Sequence, residues 1–349
     1  MRRRVLECST QRTGEPFGTW VCGDDWLPLK NHIKPRQVCL LRLQENEAWR
    51  WSPLSSNASE QFRIVLVQMQ CSPKPEDNIV DAKRAIAASS GEDVDLWILP
   101  ELFSNRYVGQ FEDREAQTAH LPNHTRLLAE FKEVSKEAGA AVALPFAEVV
   151  DAGTCYNSLA LIDKSGKVRA SYRKVHIPDS EGYREDLYFK PGNLGYVVAR
   201  LGDVNIGLGI CWDQWFPEVS RTLALKGAEL LIYPSAIGSE LARPDFDSRP
   251  EWELVMRAQA VMNRVFVAAV NRVGQEEKIR FYGGSFVADP WGKVVRRAST
   301  SGPETVFVEL DLSQVRDARS FFGFLDTRQP HTYGDLTKAR RSRHGREKR

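Results

Sequence analysis

Two parts of the chain share the same succession of an apolar run, a helical pattern and a second apolar run, and this repeat constrains the fold more than any other feature. The first part has strands at 63–69 and 95–100, with a helix that begins at Pro75 between them. The second part repeats the pattern over 204–233. Short apolar runs are typical of buried strands, and strand, helix and strand in succession form a parallel βαβ unit. We therefore predict a duplicated α/β layer.

Further strands are predicted between and after the two units. They lie at 141–150, 156–163, 168–174, 265–270, 284–288, 294–297 and 305–309, with another helix near 251–263. Turns at 164–167 and 289–292 join neighbouring strands of this set. Because hairpins are mixed with βαβ units, the pattern indicates a mixed sheet system with helices outside.

Length and composition exclude several classes of protein. The chain has 349 residues, of which 42% are hydrophobic, so it can bury a sizeable core in one large domain or two smaller ones. No apolar run approaches the ~18 residues that a membrane helix needs. The six cysteines form no CxxC pair. We therefore expect no metal site and no disulfide framework, and a reducing, cytoplasmic location.

The two ends of the chain differ from the part between them. Residues 1–61 contain four of the nine tryptophans and show no clear period, so we predict an N-terminal extension that is loosely packed or partly disordered. A single large folded domain is predicted to follow it at 62–337. The tail at 338–349 holds seven basic residues and one acid, whereas the whole chain has a net charge of +2. A mildly acidic body argues against nucleic-acid binding, and we expect a solvated, disordered tail.

Cys211 lies between a predicted strand and the segment that leads into the next helix. Amide groups and the positive end of a helix dipole at such a position stabilise a thiolate, and the amide of Trp212 would point at a developing oxyanion. A buried structural cysteine is the commoner role of a thiol beside a strand, so the position alone does not decide between the two.

Glu101 directly follows an apolar strand and a proline. A carboxylate there either caps a loop or lies in a pocket at the carboxyl edge of the sheet. In a pocket that excludes water, its pKa would rise toward a value suited to a general base.

Lys174 follows Arg173 on an alternating strand, so one of the two basic side chains points inward. An inward ammonium beside carboxylates stays charged and can bind an oxyanion, whereas an outward one is solvated. Taken alone, Glu185 is typical of a surface loop, and His176 of a packing or hydrogen-bonding residue.

Three segments in this order together resemble the nitrilase superfamily of carbon–nitrogen hydrolases. They are DLWILPELF at 95–103, YRKVHIPD at 172–179 and GICWDQWFPE at 209–218, and GAELLIYP at 227–234 follows them. The resemblance implies a four-layer α-β-β-α sandwich and assembly into a homodimer or a higher homo-oligomer. It also implies a catalytic triad of Glu101, Lys174 and Cys211, an additional active-site glutamate at Glu185, and no cofactor.

Within the superfamily, the segments CWDQWFPE and YPSAIGSE look most like those of N-carbamoylputrescine amidohydrolases. The resemblance implies that Cys211 attacks a ureido carbon, with Glu101 as the base and Lys174 as an oxyanion ligand, to release an amine, carbon dioxide and ammonia. β-Ureidopropionases also carry an N-terminal extension and remain an alternative, as do other hydrolases of N-carbamoyl amino acids or ω-amides. A non-catalytic scaffold on the same fold is the alternative from another class.

The choice of substrate depends on charge, because a carbamoyl diamine carries a cationic tail and a carbamoyl amino acid carries a carboxylate. The residues that we expect to contact the substrate are Trp212, Asp213, Glu218, Tyr107, Ser235 and Ala236. The acidic candidates for a cationic tail are Asp213, Glu218, Glu240, Asp245 and Asp247. The basic candidates for a carboxylate are Arg243, Arg249 and Arg264. The sequence segments favour the diamine.

Overall fold

The computed structural model describes residues 61–338 except 90–92, 115–117, 119–120, 152 and 244, and within the first 60 residues it describes only the backbone of four short strands. The chain divides into two compact units, Met1–Ser56 and Asn57–Arg349. In the first unit, the antiparallel pairs are Val5–Leu6 with Trp20–Val21, and Leu40–Leu41 with Trp51–Ser52. The predicted loose packing of the extension and the predicted disorder of the basic tail concern residues outside the described part of the chain.

Two six-stranded sheets form the second unit. The strands of the first sheet are, in spatial order, Glu304–Asp311, Gln61–Gln68, Leu96–Ile98, Ala141–Asp151, Thr154–Ile162 and Val168–Arg173. Those of the second are Val197–Leu201, Val204–Leu208, Leu230–Ser235, Phe266–Asn271, Phe286–Ala288 and Val294–Arg297. In each sheet three neighbouring strands are parallel and the remaining pairs are antiparallel, in the same order. This identity of topology agrees with the predicted duplication.

The strands bury both of their faces, because successive side chains point to opposite sides of a sheet. One core cluster lies between the sheets and includes Ile64, Leu66, Leu161, Ile206, Leu208 and Ile232. Helices Pro75–Ser89 and His124–Ala138 cover the outer face of the first sheet through a second cluster. Helices Pro217–Leu225 and Arg249–Asn263 cover the second sheet through a third. The predicted four-layer α-β-β-α sandwich is therefore confirmed.

Several elements were not predicted from the sequence. They are helices His124–Ala138 and Ser313–Phe321, strand Val197–Leu201, a small sheet of Gly238–Glu240, Ile279–Tyr282 and Val273–Gln275, and the strand pair Asp179–Ser180 and Tyr183–Arg184. Helix His124–Ala138 packs Leu127, Leu128, Phe131, Val134 and Ala138 against the first sheet, a helical spacing that was overlooked in the sequence. Its ends also carry the usual signals, since the Asn123 side chain accepts a hydrogen bond from the backbone of Arg126 and Gly139 has a φ of +71°.

The carboxyl ends of the central parallel strands meet at one edge of the sandwich. Glu101 follows Leu96–Ile98, Cys211 follows Val204–Leu208 and Ala236 follows Leu230–Ser235. A fourth apolar cluster covers this edge and includes Leu102, Tyr107, Tyr183, Ala236 and Phe281. The topology therefore brings residues that are far apart in the sequence to one buried place. No helix in the described part of the chain is long and apolar enough to cross a membrane.

Candidate active site

Glu101 and Cys211 both lie in sharp turns that follow a parallel strand. Leu102, directly after Glu101, has a φ of +48°, and Cys211 has a φ of +40°. The left-handed region costs a residue with a side chain about 1–3 kcal/mol, and such strain persists only where surrounding contacts hold it. Both turns are therefore positions where the fold holds the backbone against its local preference.

The ammonium of Lys174 lies between two carboxylates in the protein interior. Its Nζ donates to Oε1 of Glu101 at 2.8 Å and to Oε1 and Oε2 of Glu185 at 2.7 and 2.9 Å. All three side chains are fully buried. Two basic residues lie at the end of strand Val168–Arg173. Lys174 is the one that points inward, whereas Arg173 pairs with Glu148 at 2.6 Å.

Two neutral donors complete this cluster. Nδ2 of Asn157 donates to Oε1 of Glu101 at 2.7 Å and to Oε2 of Glu185 at 3.2 Å. The hydroxyl of Tyr107 donates to Oε1 of Glu185 at 2.6 Å, so this predicted substrate contact is bound to a glutamate of the site. Asn157 was missed by the sequence analysis, although a buried amide within an apolar strand was the signal that could have found it.

Burial raises the pKa of Glu101. Lys174 opposes this rise, and the negative charge of Glu185 adds to it. Oε2 of Glu101 accepts no hydrogen bond of good geometry, although the Cys211 thiol is close enough to lower the pKa of Glu101 as a donor. One oxygen of this carboxyl group is therefore held by Lys174 and Asn157, while the other is free to exchange a proton.

Burial also raises the pKa of the Cys211 thiol, and the charge of Glu101 raises it further. Lys174 and the amide of Ala236, which donates to the sulfur, act in the opposite direction without outweighing burial. The backbone amides that we expected to favour a thiolate therefore do not outweigh the effect of burial on the pKa of Cys211. The residues after Cys211 form a single 3-10 turn, Cys211–Trp215, and the helix begins only at Pro217. The thiol is protonated at rest and needs a base.

The carboxylate of Asp213 is already occupied by protein donors. It accepts hydrogen bonds from the Tyr172 hydroxyl at 2.8 Å, from the Ile210 amide at 3.1 Å and from the His176 amide at 3.1 Å. These bonds fasten the turn that carries Cys211. The geometry favours a structural role for Asp213 over the predicted contact with substrate.

The other predicted substrate contacts differ in their surroundings. Ala236 reaches the Cys211 sulfur through its amide, and Ser235 is buried with its hydroxyl on Oε1 of Gln214 at 3.2 Å. Trp212 is half-buried, whereas Glu218 is exposed in the first turn of its helix. The structure thus places Ala236 beside the thiol and leaves Glu218 at the surface.

Two of the acidic residues predicted to bind a cationic substrate act on buried tyrosines near the thiol. Burial raises the pKa of Tyr183, and the charges of Glu240 and Cys211 both add to the rise. Burial likewise raises the pKa of Tyr282, with additions from Cys211 and Asp247. The charges of Glu240 and Asp247 therefore raise the pKa of tyrosines whose pKa the charge of Cys211 also raises.

The arginines predicted to bind a substrate carboxylate differ in their surroundings. The Arg264 guanidinium packs against Trp291, Phe322 and Phe324, and Arg249 lies 3.4 Å from Asp247. Arg243 and Asp245 are exposed. Within the described residues, no group of three or more His, Cys, Asp or Glu side chains is arranged to hold a metal ion.

Comparison with known proteins identifies the family. Residues 63–320 match the family described as Carbon-nitrogen hydrolase. The chain belongs to the carbon–nitrogen hydrolases of the nitrilase superfamily. It is therefore an enzyme that acts on a small-molecule substrate, and the scaffold alternative is set aside.

Curated relatives and solved structures extend this finding. The chain is 35% identical to the N-carbamoylputrescine amidase of Oryza sativa subsp. japonica, over 79% of this chain and 94% of that protein. It is 33% identical to the citrullinase of Francisella tularensis, over 79% and 98% of the two chains. A mutant amidase from Nesterenkonia sp. AN1 matches with a TM-score of 0.67 and 25% identity, over 81% and 98% of the chains. In that amidase the acetamide moiety of fluoroacetamide is added covalently at the active-site cysteine.

The buried Lys174 pair yields a prediction about stability. Replacing Lys174 with Met leaves two buried carboxylates unpaired, so the free energy of unfolding at neutral pH should fall by about 3–5 kcal/mol. Because Lys174 lowers the pKa of Glu101, that pKa rises further in the variant. The folded variant then keeps a proton that the folded native enzyme releases, so the deficit should grow as the pH rises through and above the raised pKa of Glu101 in the native enzyme.

Denaturant unfolding of Lys174→Met at several pH values measures this deficit. Lys83→Met removes an ammonium from the half-exposed pair with Glu130 and serves as the control, with a small effect at every pH. A deficit for Lys174→Met that does not change with pH would contradict the assignment of an unpaired, proton-binding pair of carboxylates.

Proposed function

We propose that this hydrolase cleaves an N-carbamoyl amine, with N-carbamoylputrescine as the preferred substrate, through a carbamoyl group bound to Cys211. The observation that carries the proposal is the buried cluster of Glu101, Lys174 and Glu185 beside a protonated thiol. The names of the amidase and citrullinase relatives support a ureido substrate, and the covalent cysteine adduct of the Nesterenkonia amidase supports the nucleophile.

In the first half of the reaction, Oε2 of Glu101 takes the proton from the Cys211 thiol, and the sulfur attacks the ureido carbon. The ammonium of Lys174 and the amide of Trp212 stabilise the negative oxygen that develops. The carbon–nitrogen bond to the terminal amino group then breaks. Protonated Glu101 returns its proton to this leaving group, which departs as ammonia, and the alkylcarbamoyl group remains on the sulfur.

In the second half, Glu101 removes a proton from a water molecule that attacks the carbamoyl carbon. The bond to sulfur breaks, and the thiol regains its proton from Glu101. The released carbamic acid decomposes to carbon dioxide and the free amine. Glu185 keeps the Lys174 ammonium in place and orients the substrate amide through the whole cycle.

The raised pKa of Glu101 fits this double use of one carboxyl group. A base must hold the proton long enough to pass it to the leaving group, which a carboxyl group of ordinary pKa does poorly near neutral pH. Burial first lowers the pKa of Lys174, but the charges of Glu101 and Glu185 reverse this effect and raise it overall, so the oxyanion ligand stays positive throughout.

We expect Cys211→Ala to lower the rate of ammonia release from N-carbamoylputrescine by on the order of 10⁴–10⁶, because no other group can form the intermediate. Glu101→Gln should cause a loss of similar size. Cys155→Ala is the control, because this thiol is also buried, with its pKa raised by burial to about 12, and it lies outside the cluster. Activity that survives in Cys211→Ala would refute the covalent mechanism.

The preference for a cationic substrate rests on Glu240, whose charge acts on the buried Tyr183, as does that of Cys211. Asp247 lies 3.4 Å from Arg249, which offsets its charge, and Arg264 is held among aromatic rings. A substrate whose distal end carries an ammonium is therefore favoured over one that carries only a carboxylate. An N-carbamoyl amino acid, as for a β-ureidopropionase, is the alternative.

We expect kcat/KM to be higher for N-carbamoylputrescine than for N-carbamoyl-β-alanine or citrulline. Glu240→Gln should lower kcat/KM about tenfold for N-carbamoylputrescine, equivalent to about 1.4 kcal/mol. It should leave butylurea unchanged, because butylurea has the ureido group and a chain of the same length but no ammonium. Glu133→Gln, on the exposed face of an outer helix, is the matched control.

The substrate panel separates two failures of the proposal. Faster turnover of N-carbamoyl-β-alanine would refute the substrate class and leave the role of Cys211 intact. Equal losses for butylurea and N-carbamoylputrescine in Glu240→Gln would show that Glu240 does not recognise the ammonium.

We also propose that the enzyme works in the cytoplasm as a homodimer or a higher homo-oligomer. Leu225, Leu254 and Met262 are exposed on the two outer helices that cover the second sheet, and the cysteines within the described residues are free thiols. Light scattering should give a multiple of 39.5 kDa, and cell fractionation should recover the activity with the cytoplasm. A mass of one chain would refute the assembly.

A further inference from the structure

Arg272 is a fully buried arginine that lies outside the catalytic cluster. It follows strand Phe266–Asn271 and donates through three nitrogen atoms. Nε binds the backbone carbonyl of Glu101 at 3.0 Å, and an Nη group binds the carbonyl of Leu102. The guanidinium is therefore attached to the backbone of the strained turn that carries the general base.

The third donor of Arg272 reaches Glu276. The distance from Nη1 to Oε1 is 3.1 Å, and the Glu276 side chain is only 6% exposed. The other oxygen of Glu276 accepts hydrogen bonds from the amide of Tyr107 at 2.9 Å and from the side chain of Gln110 at 2.7 Å. Through Tyr107, whose hydroxyl binds Glu185, this ion pair is connected to the second glutamate of the site.

We propose that the Arg272–Glu276 ion pair positions both active-site glutamates, Glu101 through its backbone and Glu185 through Tyr107. The inference rests on the proposed role of Glu101 as the base for Cys211. Leu102 has a φ of +48°, and the two carbonyls beside it would lose their buried donors without Arg272. The turn would then relax and carry the Glu101 carboxyl away from the thiol. A displacement of about 1 Å in such a site can cost about 10²-fold in rate.

A second arginine–glutamate pair with the same spacing in the sequence, but with a half-exposed arginine, provides the comparison. Nε of Arg257 binds the carbonyl of Gly292 at 2.7 Å, and Nη1 lies 3.4 Å from Oε1 of Glu253. Each arginine thus joins a backbone carbonyl to a glutamate four residues away. Arg257 touches no residue of the catalytic cluster, so its replacement reports only on the loss of such a pair.

The test is the rate at which iodoacetamide alkylates Cys211 as a function of pH, measured by peptide mass spectrometry in the full-length chain. Cys155 in the same molecules is the reference thiol, because it is buried and the charges that act on it are those of Arg114 and Glu148 rather than Arg272. The variants are Arg272→Lys, which keeps the charge but loses the planar set of donors, and the matched Arg257→Lys. The reaction reports on the transfer of the thiol proton to Glu101 and needs no substrate.

In the unmodified enzyme we expect Cys211 to react faster than Cys155 at neutral pH. Arg272→Lys should slow the reaction of Cys211 at least about tenfold and move its pH dependence upward, toward that of an unassisted thiol. Arg257→Lys should behave like the unmodified enzyme. Where Arg272→Lys fails to fold, Glu276→Gln gives the decision, because it keeps the shape of the side chain and should slow Cys211 in the same direction.

Each of the other outcomes would contradict the positioning role of Arg272, the proposed nucleophile, or both. Rapid, unshifted alkylation in a folded Arg272→Lys or Glu276→Gln variant would overturn the positioning role and leave the proposed nucleophile intact. An unmodified enzyme in which Cys211 reacts no faster than Cys155 would overturn both. Equal slowing in Arg257→Lys would reduce the effect to a general loss of stability and would also overturn the positioning role.

Discussion

One ammonium between two carboxylates, all three fully buried, is the interaction on which this active site depends. A single buried charge costs several kcal/mol to desolvate, so Lys174 is tolerated because Glu101 and Glu185 both receive its hydrogen bonds. The cluster still has one negative charge more than positive, and burial together with this excess charge raises the pKa of Glu101 and of the Cys211 thiol. The excess negative charge that costs stability therefore also raises the pKa of Glu101 and of Cys211, the two groups that exchange a proton.

The two sheets hold the parts of the site in different layers of the fold. Glu101 and Lys174 follow strands of the first sheet, and Cys211 follows a strand of the second. Their separation is therefore set by the apolar side chains packed between the sheets, including Ile64, Leu66, Ile206 and Leu208. Protein interiors are close-packed and transmit small shifts. A change in this core would therefore alter the distance between Glu101 and Cys211 even where the changed residue contacts neither of them.

Two neighbouring residues at the end of strand Phe266–Asn271 support the backbone around the site: Arg272 holds the strained turn beside Glu101, and Asn271 holds the turn that follows strand Leu230–Ser235. Arg272 binds the backbone beside Glu101, and Asn271 binds the amide and the carbonyl of Ile237 at 3.0 and 2.9 Å. Ile237 follows Ala236, whose amide reaches the Cys211 sulfur. The strand that carries no reacting group thus ties together the turns around the base and around the nucleophile.

Apolar periodicity in the sequence predicted the βαβ units and most strands, because it reports on which faces are buried. The order of the four layers was implied only by the resemblance to the nitrilase superfamily. The sequence also identified Glu101, Lys174 and Cys211 as candidates through the motifs that contain them, and Glu185 through the resemblance to the nitrilase superfamily. The folded structure was needed to show that Asn157 joins the cluster, that Asp213 accepts hydrogen bonds from backbone and hydroxyl donors, and that burial raises the pKa of the Cys211 thiol. Those properties depend on desolvation and on contacts between residues far apart in the chain, and neither quantity is a function of local sequence pattern.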